Sequence, residues 1–210
     1  MLYNTIKDHY KKGLIMKKAS VSVFIKSGLW LFLCWLASFV IVMFFPACYQ
    51  RFGAIMCFAF GFCSIGAAVC LYADFTHKLG ARTRLSTDDE ETIKKQQHFG
   101  AYIGIVPTVI NYIYVIVLYL SKFGVIALDF FPWYKTLTLY FMPITYLFAP
   151  NEAVYVDGRV TSVSVAATEL SWGMLIAAAI LPLIFIITTW AAYYVGYNHI
   201  NLKEKIVYRK

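Results

Sequence analysis

Apolar residues run through this chain in long blocks, not at the short periods that mark a half-buried strand or a surface helix. A helix needs roughly 20 mostly apolar residues to cross the hydrocarbon of a bilayer. Residues 29–47 (LWLFLCWLASFVIVMFFPA) and 53–73 (GAIMCFAFGFCSIGAAVCLYA) both meet that requirement. Only residues 48–52 separate them, which predicts an antiparallel helical hairpin. Residues 101–120 and 170–194 are the third and fourth candidate transmembrane helices. Each contains a proline, Pro107 and Pro182, and both are read as kinks, because neighbouring helices can satisfy the carbonyls that a proline frees. Trp172 and Trp190 lie roughly 27 Å apart at the rise of an ideal helix, the separation expected of two interfacial belts.

Between the third and fourth blocks, residues 122–169 are too apolar for an ordinary loop, yet Asp129, Pro132, Lys135, Pro143 and Pro150 interrupt them. This composition predicts a pair of short re-entrant or interfacial helices, followed by an extended piece over 160–167 (VTSVSVAA). The expected fold class is therefore all-α, a single polytopic membrane domain over 1–210 with four transmembrane helices. No repeat or low-complexity linker divides it.

Composition supports the same class. The chain is 60% hydrophobic and 14% charged, outside the usual balance of a soluble domain. Its formal charge of +8 comes from basic residues in short segments beside the apolar blocks, a placement that suits anionic lipid headgroups and not nucleic acid. Lysines and arginines concentrate in residues 1–28, in the segment 75–99 and in the tail after Asn201. The positive-inside rule puts all three on the cytoplasmic side, with both termini inside. If Trp133 to Ala149 also crossed the bilayer, the basic tail would face outward against that bias, so four spans are favoured over five. Residues 1–28 mix Leu2, Ile6 and Tyr10 with lysines and read as a basic amphipathic helix on the lipid surface. In 75–99, Thr87 and Glu90 form a capping box for a cytoplasmic helix. A bacterial plasma membrane is the expected location, since the chain has no N-x-S/T sequon and a short basic tail.

Candidate chemistry is sparse. The cysteines Cys34, Cys48, Cys57, Cys63 and Cys70 form no CxxC pair and are read as small apolar residues, and a lipoprotein-like reading of Cys48 is disfavoured by the long apolar block before it. Ala59, Cys63, Gly66, Ala67 and Cys70 make a small-residue stripe that lets another helix approach closely, a candidate packing or partner face. Asn111 is the candidate polar position at membrane depth, read first as an interhelical hydrogen-bonding group. No Walker A, HExxH or GxSxG sequence occurs, and the only acid or base groups left for an enzyme are Asp129, Glu169 and His98. Asp129 and Glu169 are expected on the outer side and His98 on the inner, which argues against a joint active site. A metal site from Asp88, Asp89, Glu91 and His98 is disfavoured because consecutive carboxylates point around a helix. No catalytic residue, cofactor or metal is therefore assigned. The sequence leads to an expectation of a non-catalytic accessory, scaffold or assembly component that meets lipid and another membrane protein or itself; the alternative is a small transporter or channel.

Overall fold

The computed structural model describes residues 2–85, 96, 98–156 and 159–198, with side chains over 21–151 and 164–198 within that range. The chain forms eight α-helices, one β-hairpin and a 3-10 turn among these residues. The helices are α1 (Leu2–Val42), α2 (Phe45–Phe52), α3 (Ile55–Leu85), α4 (Phe99–Lys122), α5 (Phe131–Leu137), α6 (Met142–Phe148), α7 (Trp172–Ile180) and α8 (Leu183–Tyr197). Four stretches are long and apolar enough to cross a membrane: Val21–Val42 of α1, then α3, α4 and the α7–α8 pair over Trp172–Tyr197. Large apolar side chains cover the outside of the bundle, among them Phe62 at 82% exposure and Ile55 at 71%. In water such a surface would be prohibitive; against hydrocarbon it is the expected exterior.

The element bounds depart from the sequence expectation in four places. The first span lies earlier than 29–47, at Val21–Val42, and runs unbroken from the basic N-terminal segment. Lys26 falls inside it and is exposed, where its long side chain can reach toward the interface. Residues 45–52 are a separate helix, α2, started by Pro46 in its first turn, so the connection between the first two spans is helical. The second span continues to Leu85, well past Ala73. At Pro182 the fourth span is broken into two helices where a kink was expected, whereas Pro107 sits inside an unbroken α4. The capping box at Thr87 and Glu90, and the candidate metal residues Asp88, Asp89 and Glu91, lie outside the described residues.

Over 122–169 the structure has two seven-residue helices, α5 and α6, each with a proline in its first turn. An antiparallel hairpin follows, β1 (Glu152–Val156) paired with β2 (Arg159–Val163) in the register Val154 to Thr161, and then a 3-10 turn at Ala167–Glu169. The extended piece expected at 160–167 is thus the second strand and its continuation, an exception to the all-helical fold.

Glycines set the closest helix approaches. A Cβ on Gly80 would stand 2.5 Å from the Tyr193 carbonyl oxygen and 2.9 Å from the Tyr197 nitrogen, and one on Gly196 would collide with the His77 carbonyl. These two positions seat α3 directly on α8, backbone to backbone. Gly100 and Gly104 do the same for α4, facing Tyr193 and Thr189 of α8. Their spacing is that of the GxxxG packing motif.

Candidate functional site

A polar brace crosses the middle of the bundle. Pro107 has no N–H, so the carbonyl of Ile103 loses its donor within α4. Ser27 of α1 supplies one, its hydroxyl lying 3.3 Å from that oxygen. Asn111, one turn further along α4 and fully buried, donates from Nδ2 to the Pro107 carbonyl at 2.7 Å. Its Oδ1 accepts from the hydroxyl of Tyr140 at 2.7 Å. Tyr140 belongs to the turn between α5 and α6, and its own carbonyl accepts from Ser64 of α3 at 3.0 Å. The two short helices therefore meet at a turn tied to α3 and to the halfway point of α4.

Aromatic packing surrounds these bonds. Phe185 of α8 lies edge-on to Tyr72 and Tyr140, with ring centroids 5.3 and 5.5 Å away. Phe141 stands at right angles to Tyr140, 4.7 Å between centroids. Such edge-to-face pairs add to the area they bury, and they leave little room for a second Tyr140 rotamer. A second set of bonds closes the break at Pro182. Thr108 donates to the Pro182 carbonyl at 3.2 Å, Tyr112 to Ala179 at 2.9 Å, and Tyr119 to Leu175 at 3.1 Å. These three residues lie along one side of α4, so a single helix face holds both α7 and α8.

On the side where α4 ends, Asp129 is a structural clasp: its Oδ1 accepts from the backbone N–H groups of Phe131 at 3.3 Å and Ala167 at 3.0 Å. Lys122 donates to the Thr168 carbonyl. Lys135 is the buried charge among the described residues, at 6% exposure. Its ammonium donates to Asn151 Oδ1 at 2.6 Å and lies over the Phe131 ring, 4.5 Å from the centroid. Burial pushes its pKa down to about 8, and the Asp129 charge pulls it partly back up.

Of the sequence candidates, Asp129 and Glu169 share one end of α4, where Asp129 holds the turn that ends in Glu169, and His98 lies at the other. His98 begins α4, where its Nδ1 accepts from the Trp190 indole at 3.1 Å, while Asp129 lies beyond the other end of that helix. An ideal helix of that length is roughly 36 Å, so His98 cannot share an active site with Asp129. Among the described residues no cluster of three metal-ligating side chains forms. Asp74 makes an exposed i, i+4 pair with Lys78 at 2.6 Å, an arrangement that adds little to stability. Of the small-residue stripe, Ala59, Cys63 and Cys70 are exposed and Gly66 and Ala67 half-buried. The chain packs α3 with a different set, Cys57, Gly61, Ser64, Ala68, Tyr72, Thr76 and Gly80. The sequence reading missed Ser27, Ser64 and Tyr140 as partners of the brace. A proline one turn before Asn111 was a signal that a carbonyl needed a donor; nothing in the sequence said which residue would provide it.

Comparison with known protein families, with characterised proteins and with solved structures returns no significant match.

Proposed function

We propose that this chain is a non-catalytic scaffold or accessory component of a membrane complex, with both termini cytoplasmic and α5–α6 re-entering the bilayer from the outer side. The observation that carries this reading is the state of Asn111. A polar side chain at membrane depth is the default place to look for substrate or ion contact. Here both ends of its amide are engaged by the protein, at Pro107 and Tyr140. The neighbouring hydroxyls of Thr108, Tyr112 and Ser64 likewise donate to backbone carbonyls. These polar groups serve the bundle's own assembly. The outward face of α3, with Cys63, Cys70 and the exposed Phe62, is the surface the reading assigns to another membrane protein or a second copy. The basic excess of the cytoplasmic segments and the lack of a sequon support a bacterial plasma membrane.

The test is purification of the tagged protein from its native membrane in mild detergent, with mass spectrometry of stoichiometric companions. A reproducible partner supports the scaffold reading, and a protein that remains monomeric and alone counts against it. The transporter reading draws on one observation, the broken α7–α8 span beside the α5–α6 turn, since interrupted helices line substrate sites in transporters. Solute flux in liposomes that disappears on Asn111→Leu would move that reading to the front.

A further inference from the structure

A pocket of about 380 Å³ opens on the side of the bundle between α1 and α4, with the α5–α6 turn as its third wall. Gly28, Leu31 and Phe32 line it from α1, Ile110 and Tyr114 from α4, and Leu137 from the end of α5. Small-molecule sites in proteins fall in the range of about 300–1,000 Å³, and an apolar cavity of only about 150 Å³ already holds benzene.

Three features fix the class of guest. The first is depth. Gly28 and Phe32 lie within the Val21–Val42 span and Ile110 halfway along α4, and the residues next to lining positions in the chain, Leu29 beside Gly28 and Ile113 beside Tyr114, are apolar and exposed. Hydrocarbon, and neither water nor headgroups, is the medium from which a guest at this level arrives. The second is the wall chemistry. Trp35 and Tyr140 also line the pocket, but the indole N–H of Trp35 is given to the Thr136 carbonyl at 2.7 Å and the Tyr140 hydroxyl to Asn111. No charged residue lines it, and the Tyr114 hydroxyl is too little to compensate the desolvation of an ion. The third is Gly28. A Cβ built there meets no atom within 4 Å, so the missing side chain leaves room at the α1 wall that the protein's own backbone does not need.

We propose that this pocket binds one hydrocarbon chain of a membrane lipid, which enters sideways between α1 and α4. The inference rests on the membrane-spanning character of the helices and is independent of the scaffold reading, because it concerns a different face from the outward side of α3.

The test uses the full chain in phosphatidylcholine vesicles containing a phosphatidylcholine with a diazirine midway along one acyl chain. After irradiation, adducts are mapped by mass spectrometry. Adducts at Leu31, Ile110 and Tyr114 are expected severalfold above those at Phe62 and Ile55, which face the ordinary lipid annulus. Gly28→Phe should plug the pocket and lower the Ile110 and Tyr114 adducts severalfold, with the Phe62 adducts unchanged. Gly28→Leu is a smaller plug for use if the phenylalanine variant does not purify as a monodisperse species. Equal labelling of the two faces would overturn the proposal, as would pocket adducts that persist in the plugged variants.

Discussion

Asn111 and Lys135 are both polar groups taken out of water, and their surroundings treat them differently. Asn111 has its donor and acceptor both paired, so Asn111→Leu removes two bonds and leaves the buried Tyr140 hydroxyl without a partner. Leaving such a group unsatisfied costs about 1–3 kcal/mol, and thermal unfolding in detergent should show a lower Tm. Tyr140→Phe breaks one bond instead of two, although it leaves Asn111 Oδ1 unpaired, so it should cost less, and in the double variant the two losses should fail to add. Lys135 carries a charge that burial makes expensive. Its pKa of about 8 in the fold lies below the roughly 10.4 of an unfolded lysine, so between those values the unfolded chain holds more protons. Stability should therefore rise as pH climbs from about 8 to about 10, and below that window the ammonium is a constant cost of at most about 3 kcal/mol. Wild-type Tm measured across this window should increase with a component that Lys135→Met lacks. A wild-type profile identical to that of the methionine variant would mean that Lys135 titrates as though exposed. Asn111 was legible in the sequence as a membrane-depth polar residue, and the proline before it hinted at a carbonyl in need. Its partner Tyr140 was not legible, because the two residues meet only through the path of the α5–α6 turn.

Helix positions were legible because a run of apolar residues of span length leaves few other structures, but helix faces were not. On α3, the stripe Ala59, Cys63, Gly66, Ala67 and Cys70 and the stripe Cys57, Gly61, Ser64 and Ala68 are both small and spaced by three and four. The second faces inward because α6 and the α5–α6 turn lie against it, where a Cβ on Gly61 would run into Ile144 and Ser64 donates to the Tyr140 carbonyl. The short helices α5 and α6 were legible for a local reason: Pro132 and Pro143 disrupt a longer helix, yet each suits a first helical turn, where a missing N–H costs nothing. The first span was placed too late because the basic segment 1–28 was read as lying outside the hydrocarbon, although a lysine near the end of a span, such as Lys26, can keep its charge at the interface. Packing at the glycines leads to a prediction at this scale. Gly196→Ala drives a methyl into the His77 carbonyl and Gly104→Ala one into Thr189, whereas a methyl at Gly66 meets nothing within 4 Å. Overpacking of this kind costs typically about 1–3 kcal/mol, so the first two variants should lower the Tm and Gly66→Ala should leave it unchanged. Loss of stability in Gly66→Ala would point to a partner seated on the outward face in the purified state.

For the molecule as a whole, the helix contacts define direction relative to one another. Cys34 of α1 reaches the Ala68 carbonyl and Tyr72 reaches Ser27, so α1 and α3 run antiparallel. Tyr72 against Phe185 and Gly80 against Tyr193 and Tyr197 place α3 and α8 side by side in the same direction, and Gly100 and Gly104 place α4 against α8 in the opposite one. An up-down-up-down order follows, in which Leu85 and the start of α4 share one end of the bundle, and Phe123 and Ser171 lie at the other. Which end meets the cytoplasm is a matter of charge: Arg82 and Arg84 lie at the first end, in the last turn of α3. The proposed orientation, which rests on the positive-inside rule, puts that end in the cytoplasm. Leu85 and Val125 are 75% and 69% exposed, one at each end, and so suit single-cysteine reporters in a chain whose own cysteines have been replaced by alanine or serine. On intact cells a membrane-impermeant maleimide should label Val125→Cys and leave Leu85→Cys unlabelled until the membrane is permeabilised. The reverse pattern would invert the bundle and place its basic segments outside. Labelling of both positions on intact cells would be incompatible with a crossing by α4, because that helix is the described element that separates the two reporters.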